Sequence, residues 1–357
     1  MKRMKRTKIK TADPFTKADA ILVSDLHLTE STPVSRTDDY LAAQRGKLQF
    51  LQYLSDQNEC PVLCAGDVFD HWKASPWLCS EAFLYLPHSF IGIPGQHDLP
   101  MHSLEHYSKS ALSLVEIAAK ESKTRAFQIL KGSTIFNKLH ITGVPFGELK
   151  KFISERSFVQ GQGQSHGKKI LMLHELIWQR KRPAWDEGSW TDQEILESFN
   201  GYFDLILTGD NHIGFITRRK DLILVNPGSM MRKTADQEDY KPRCYLYYAK
   251  ENEIRPAFFP IEDGVHNREH IDRKREREDR VAAYIERMNT TWEIGLSFEK
   301  NLEVFFSENK VPRKIVELIW HYFEKEGERN EGESRAATPT AEGAVRRTKT
   351  QTSRTTR

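Results

Sequence analysis

Between Ala20 and Ser229, short continuous runs of apolar residues are each cut off by small, acidic or imidazole-bearing residues. AILV (Ala20–Val23) stops at Ser24-Asp25, PVLCA (Pro61–Ala65) at Gly66-Asp67, and SFIGI (Ser89–Ile93) at a Pro94-Gly95 turn before Gln96-His97-Asp98. ILML (Ile170–Leu173) stops at His174, DLILT (Asp204–Thr208) at Gly209-Asp210, and LILV (Leu222–Val225) at Asn226-Pro227-Gly228-Ser229. Runs that are continuous rather than alternating predict strands buried on both faces. Between the first two runs, Leu41, Leu48, Leu51 and Leu54 recur at helical spacing and predict a crossover helix in a βαβ unit. Ala111–Ala119 reads as a second helix, and CYLYYA and AFFPI as two late strands, with antiparallel pairing an option. The fold class is therefore α/β, with mostly buried central sheets flanked by helices and a helical segment at the C-terminal side. In such folds ligands gather beyond the carboxyl ends of the strands, where these polar clusters would project.

Charge refines the domain picture. The chain has 357 residues and a formal charge of +3. Met1–Lys10 holds six Lys/Arg and no acid, and Arg335–Arg357 holds six Lys/Arg against Glu342 alone, which leaves −8 on the rest. An acidic body with cationic ends excludes a uniformly basic nucleic-acid coat and confines contact with a polyanion to local patches or to the ends. The expected organisation is a basic flexible arm over 1–18, one domain over 19–262, a helical partner-binding or packing segment over 263–325, and a disordered basic tail over 326–357. In the helical segment Val281, Tyr284, Ile285 and Met288 form one apolar stripe and Ile315, Leu318, Ile319 and Tyr322 another. Four cysteines without a C-x-x-C pair argue against a disulfide scaffold and for a reducing compartment. No run approaches a membrane span, and the basic N-terminus is not followed by an apolar stretch, so a soluble, unsecreted, cytoplasmic protein is expected.

Any one polar cluster is also what an ordinary turn looks like, because Asp and Gly favour turns. The informative feature is five clusters in one order, all closing predicted strands: SDLH (Asp25, His27), GDVFD (Asp67, Asp70), GQHD (Gln96, His97, Asp98), LHE (His174) and GDNH (Asp210, His212). This series resembles the calcineurin-like metallophosphoesterase superfamily, whose pattern runs D-x-H, G-D-x-x-D, G-N-H-D/E, H, G-H-x-H. Residues 19 to about 250 carry the resemblance. VSDLHL, AGDVFD and GQHDLP are most similar to SbcD-type nuclease subunits of cellular and phage DNA repair complexes.

The resemblance implies hydrolysis of phosphodiesters with two divalent ions roughly 3.5–4 Å apart, which activate water and offset charge on the in-line transition state. Carboxylate, imidazole and amide ligands without cysteine suit Mn²⁺. Carried over, Asp25, His27 and His212 hold the first ion, Asp67 bridges, and Gln96, His174 and Asp210 complete the second. His97 faces the scissile phosphate, Asp70 orients its imidazole, and Asp98 fixes the loop. Two positions depart from the family pattern on the same ion: Gln96 replaces Asn, and Asp210 replaces the first His of the last motif. Both substitutes keep ligating oxygens.

The expected function is a Mn²⁺-dependent DNA exo- or endonuclease subunit acting in repair or recombination. The partners are double-stranded ends or single-stranded DNA and an SbcC-type SMC-like ATPase that docks on the C-terminal helices; no membrane is involved, and homo-oligomerisation stays open. Two alternatives keep part of this picture. One is a small-molecule phosphodiesterase or phosphatase, and the other a non-catalytic DNA-binding scaffold. Two further stretches lie near the clusters. Trp178-Gln179-Arg180-Lys181-Arg182 interleaves aromatic with basic residues, as a base-stacking lip or a solvated turn does, and Met230-Met231-Arg232-Lys233 follows the Pro227-Gly228 turn.

Overall fold

In a computed structural model the described residues are 16–123, 125–156, 167–186, 188–267, 280 and 298–321. Most of the basic arm, the stripe Val281, Tyr284, Ile285 and Met288, and the tail over 326–357 lie outside them. The chain divides into two compact units, Met1–Ile271 and Asp272–Arg357.

The first unit is built on two six-stranded sheets. The strands are β1 (Ala20–Val23), β2 (Val62–Cys64), β3 (Ser89–Gly92), β4 (Ala126–Ile129), β5 (Ser133–Phe136), β6 (Leu139–Val144), β7 (Lys168–His174), β8 (Ile177–Trp178), β9 (Trp190–Thr191), β10 (Leu205–Gly209), β11 (Phe215–Arg219), β12 (Leu222–Asn226), β13 (Arg243–Tyr248) and β14 (Glu253–Phe258). One sheet has the order β14-β13-β1-β2-β3-β4, and the other β11-β12-β10-β7-β6-β5. β1 to β4 run parallel, with β13 and β14 added antiparallel. In the second sheet β6, β7, β10 and β12 run parallel between antiparallel edges β5 and β11. β8 and β9 form a separate short parallel pair.

Five helices cover the outer faces: α1 (Tyr40–Asn58), α2 (Pro76–Tyr85), α3 (Ala111–Ser122), α4 (Leu149–Glu155) and α5 (Asp192–Phe199). Their starts are set by local chemistry. Asp39, Ser75 and Ser110 accept backbone N–H groups at the first turns of α1, α2 and α3, Pro76 occupies the first turn of α2, and Thr191 and Glu194 cap α5 reciprocally.

The period-two side-chain alternation of a strand divides each apolar run between two cores. In β1, Ile21 and Val23 pack outward with Leu48 and Leu51 of α1, whereas Ala20 and Leu22 pack inward with Ile170, Met172, Leu205 and Leu207 of the other sheet. A third cluster joins Leu171, Leu173 and Ile206 to Ile195, Leu196 and Phe199 of α5. The layers thus run helix, sheet, sheet, helix. Cys60, Cys64, Cys79 and Cys244 are free and buried. In the second unit, α6 (Phe298–Glu308) is followed by a helix over 313–321 that carries Ile315, Leu318 and Ile319, and Phe306 meets Trp320 edge-on at 6.2 Å. No helix among the described residues is long and apolar enough to cross a membrane.

Candidate metal centre

All five motif clusters sit immediately beyond the carboxyl ends of parallel strands: Asp25 and His27 after β1, Asp67 and Asp70 after β2, Gln96 to Asp98 after β3, His174 at the end of β7, and Asp210 and His212 after β10. The chain reverses sharply there. Asp25, His27, Asp67 and Asp210 have φ values of 51°, 46°, 53° and 72°, in the left-handed region where non-glycine residues are uncommon and strain concentrates at functional sites. Backbone bonds staple the loops together: Asp25 N–H to Gly66 O (3.1 Å), His27 N–H to Asp67 O (2.9 Å) and Met230 N–H to Asp25 O (3.1 Å).

Two glycines make the close approach possible. At Gly66, whose φ is +93°, a Cβ would lie 2.3 Å from His174 Nδ1; at Gly209 it would lie 2.4 Å from the Ala65 carbonyl oxygen. Both distances are far inside van der Waals contact, so the tight seam between the two sheets requires glycine.

Three overlapping groups of ligand atoms, each within 4.8 Å of one another, result: Asp25, His27 and His212; His27, Asp67 and His97; and Asp25, Asp67 and His174. His27 Nε2 is 3.0 Å from His212 Nε2 and 3.6 Å from Asp67 Oδ2. His174 Nε2 is 3.3 Å from Asp67 Oδ2, and His212 Nε2 is 3.8 Å from Asp25 Oδ1. Asp25, His27, Asp67 and His174 are buried, while the side chains of His212 and Asp70 are 42% and 36% exposed.

Hydrogen bonds fix which nitrogen each ring presents. His174 Nδ1 lies 2.6 Å from the Ala65 carbonyl and His97 Nδ1 2.8 Å from the Asp70 carbonyl; a carbonyl only accepts, so both carry the proton on Nδ1 and leave Nε2 for the centre. The Asp70 orientation of His97 therefore comes from its backbone and not from its carboxylate. That carboxylate lies 3.2 Å from His27 Nδ1 and bonds Lys233 Nζ. Asp67 Oδ1 accepts the His97 backbone N–H at 2.9 Å, which turns Oδ2 inward. Asp98 fixes the loop: its two oxygens accept N–H groups of Val68, Phe69 and Gly95 at 3.1, 2.9 and 3.0 Å.

Gln96 and Asp210 are brought together. Gln96 Nε2 donates to Asp210 Oδ1 at 2.9 Å, and the Asp210 backbone N–H donates to Asp25 Oδ1 at 3.0 Å. The two departures from the usual motif are thus mutual partners, the longer amide arm of Gln96 reaching the shorter carboxylate of Asp210. Asp210 joins none of the three convergent carboxylate–imidazole groups, so the second set of such ligands is closest around Asp25, Asp67 and His174.

Burial acts strongly on these groups. It pushes the Asp25 carboxyl up. It would raise Asp67 as well, but the His174 and His27 imidazoles outweigh it and hold that carboxyl below the usual carboxylate range. It would lower His174, yet the Asp67 carboxylate holds the imidazole well above its usual value. Asp70 is held low against its own burial by His27 and Lys233, and burial lowers His212.

The match to a family model decides the classification: residues 20–214, more than half of the chain, match the calcineurin-like phosphoesterases. The chain belongs to this family. Among curated proteins no sequence match was found. Similar solved structures include a novel archaeal phosphodiesterase at 13% identity, covering 67% of this chain and 98% of that one with a TM-score of 0.35. A putative 5′-nucleotidase from Staphylococcus aureus shares 13% identity over 68% of this chain and 54% of its own, TM-score 0.40. A phosphopantetheinyl hydrolase from Mycobacterium tuberculosis shares 13% over 68% and 96%, TM-score 0.38.

Calcineurin-like phosphoesterases hydrolyse phosphoesters with two divalent metal ions, and the residues of this phosphoesterase fit such a pair. Asp25 Oδ2, Asp67 Oδ2 and His174 Nε2 are buried without a hydrogen-bond partner among the described residues. Three such polar atoms in one centre would cost several kcal/mol in a site meant to stay empty, and they are the atoms an ion would take. Asp25, His27, His212 and Asp67 would hold one ion, and Asp67, His174 and Asp25 the other, with the Gln96–Asp210 pair beside it. Sequence reasoning did not single out the role of Lys233: its neighbours Met230, Met231 and Arg232 are buried and Lys233 alone reaches Asp70. Asn211 and Asn226, which brace the last ligand loop, were also missed; Asn226 Nδ2 donates to Asn211 O at 2.8 Å. Their only sequence signal is position, between Asp210 and His212 and at the end of β12.

Proposed function

We propose that this phosphoesterase is a DNA nuclease of the SbcD type, cleaving phosphodiester bonds with two Mn²⁺ ions. The observation that carries the reading is His97, a ring held beside the ligand set yet tied by Nδ1 to a carbonyl, so that Nε2 is the nitrogen offered to a substrate oxygen. When bound, the ions supply a strong nucleophile and compensation for phosphate charge. The remaining work falls on the chain. His97, standing edge-on to His27 with 4.9 Å between centroids, acts as the imidazolium: Nδ1–H stays on the Asp70 carbonyl, the second proton passes from Nε2 to the leaving oxygen, and the ring, left neutral with its proton on Nδ1, takes up at Nε2 the proton that the attacking water gives up. Asp67 positions His97 through the backbone, and Asp70 with Lys233 steadies His27.

A polymeric substrate is supported by the openness of the centre on its His212 and Asp70 side, together with the cationic ends of the chain. A cavity of about 570 Å³ lies elsewhere, against β5, β6 and α4, and holds none of the ligand residues. An SbcC-type ATPase would dock on the helices over 298–321, where Val304, Ile315 and Leu318 are exposed.

The test is incubation of end-labelled duplex and of single-stranded circles with wild type and Asp67→Ala, in Mn²⁺, Mg²⁺ or chelator, beside a chromogenic phosphodiester. DNA cleavage lost in Asp67→Ala and in chelator is expected. Turnover of the chromogenic ester alone would move the substrate to small molecules, and DNA binding without turnover would make the chain a scaffold.

A further inference from the structure

The segment between β8 and β9 is not used by the chemistry above, yet its geometry is built. β8 begins three residues after His174, so about 14 Å of extended chain at most separates that ligand from Trp178. The root is tied to the metal loop by Asn211, the residue between Asp210 and His212: its Nδ2 donates to Ile177 O at 2.9 Å, and its Oδ1 accepts the Ile213 N–H at 3.1 Å. Ile213 is left 72% exposed at the edge of the centre.

Among the described residues of the segment and of the start of α5, the acids Asp186, Asp192 and Glu194 are held in internal bonds. Asp186 accepts the Trp178 indole N–H at 2.7 Å and the Ser189 hydroxyl at 2.6 Å. Asp192 accepts the Arg180 backbone N–H and the Thr217 hydroxyl, and Glu194 caps α5 and pairs with Arg182. Arg180 and Lys181 are exposed, and their side chains have no partner among the described residues. Trp185 packs edge-on against Trp178, 6.1 Å between centroids, and is 78% exposed. A large indole held by a fixed neighbour but left in water has low ordering cost on contact with a flat ligand.

We infer that Trp185, backed by Trp178, together with Arg180 and Lys181 on the same β8–β9 segment, forms a binding lip for single-stranded nucleic acid beside the metal centre, the indole stacking an unpaired base and the two cations meeting adjacent phosphates. The inference rests on the nuclease reading and names the form of its substrate. A base inside a duplex already has both faces covered, so an exposed indole discriminates in favour of a single strand. Phosphates are the ligand chemistry that two exposed cations on the same segment as an exposed aromatic face complement.

The experiment measures binding of fluorescein-labelled oligothymidylate to the full-length protein in chelator, where nothing is cleaved, by anisotropy and by quenching of tryptophan fluorescence. Wild type is expected to bind and be quenched. Trp185→Ala should lose roughly 5- to 150-fold in affinity, the worth of one base stacked on an aromatic ring, and Trp185→Phe should recover part of it. Arg180→Ala/Lys181→Ala should reduce the salt slope of log affinity by about 1.4, for two phosphates of a single strand. Thermal midpoints and metal-dependent stabilisation at wild-type values show that the variants are folded. Affinity unchanged in a folded Trp185→Ala variant overturns the inference. So does wild type that hydrolyses a chromogenic diester but does not bind the oligonucleotide, and that result leaves the phosphoester reading standing. Binding that depends on Trp185 in a protein without phosphoester turnover upholds the lip and removes the nuclease reading alone.

Discussion

Substituting Gly209 by alanine tests whether the seam between the sheets builds the centre. Gly209 ends β10 in register with His174 on β7. Its φ is not in the left-handed region, so alanine brings no conformational penalty, only volume. The added Cβ would sit 2.4 Å from Ala65 O, 2.8 Å from His174 Nδ1 and 3.2 Å from Asp25 Oδ2. Carbon and oxygen prefer separations above about 3.3 Å, so the end of β2 or of β10 must shift by roughly 1 Å. Overpacking of this kind costs about 1–3 kcal/mol, and the 2.6 Å bond from His174 to Ala65 O, if broken inside the core, adds about 1–3 kcal/mol. We expect Gly209→Ala to lower the free energy of unfolding by about 2–6 kcal/mol in urea melts. A 1 Å displacement of two ligand residues should also reduce diester turnover about 100-fold. Gly46→Ala is the control: Gly46 lies inside α1 with nothing within 4 Å of the place an added methyl would take, so alanine there should stabilise by about 0.5–1 kcal/mol and leave turnover alone. A Gly209→Ala protein as stable and active as wild type would refute the close-contact argument.

Three further outcomes follow from the centre. His97→Asn should keep metal-dependent thermal stabilisation while losing roughly 10²- to 10⁴-fold in turnover, since it removes proton transfer rather than a shared ligand; a lost thermal shift would assign His97 to metal binding instead. Lys233→Met frees the Asp70 carboxylate that steadies His27, and titration calorimetry should show metal affinity weaker by about 10- to 100-fold, with Lys233→Arg retaining most of it; equal affinities would remove Lys233 from the account. The metal-dependent shift in thermal midpoint should grow from pH 6 to pH 8. His174 is raised in the folded, metal-free protein, so its pairing with Asp67 stabilises fully below about pH 6.5 and is lost as pH climbs through the raised value, whereas a metal needs the imidazole deprotonated. Buried Lys47, pushed down to about 7, favours folding as pH rises above 7, but it does so with or without metal and cancels in the difference. A shift that shrinks with pH would contradict the assignment of His174.

The six continuous apolar runs were legible because both faces of those strands are buried: AILV coincides with β1, and the other five overlap β2, β3, β7, β10 and β12. β13 was equally visible as CYLYYA, whereas AFFPI meets β14 only at Ala257-Phe258, the strand lying earlier over Glu253–Phe258; the two strands pair antiparallel. The runs do not say which strands share a sheet, since a residue facing the inter-sheet core and one facing a helix are equally apolar; the division into two sheets emerged only from pairing. β4, β5 and β6 went unread because they lie toward one edge and are half-buried, so their apolar positions alternate with polar ones in segments too short to stand out. α5 was missed although Thr191-x-x-Glu194 is a capping box, because only eight residues follow it. At the centre, motif order located the side chains, and it also exposed the unusual Gln96 and Asp210. It did not show that these two would bond each other, since residues 114 positions apart carry no local signal of contact. The Lys233 contact escaped for the same reason.

The left-handed backbone at Asp25, His27, Asp67 and Asp210 bears on how such a protein can be engineered. Each of these conformations costs on the order of 1–3 kcal/mol for a residue with a side chain, and glycine there would relieve it. A screen that rewards heat resistance alone would therefore enrich glycine at the very positions that define the enzyme. Hardening this chain without disarming it calls for selection in the presence of bound metal, where ligand loss is penalised, or for changes confined to the outer helices.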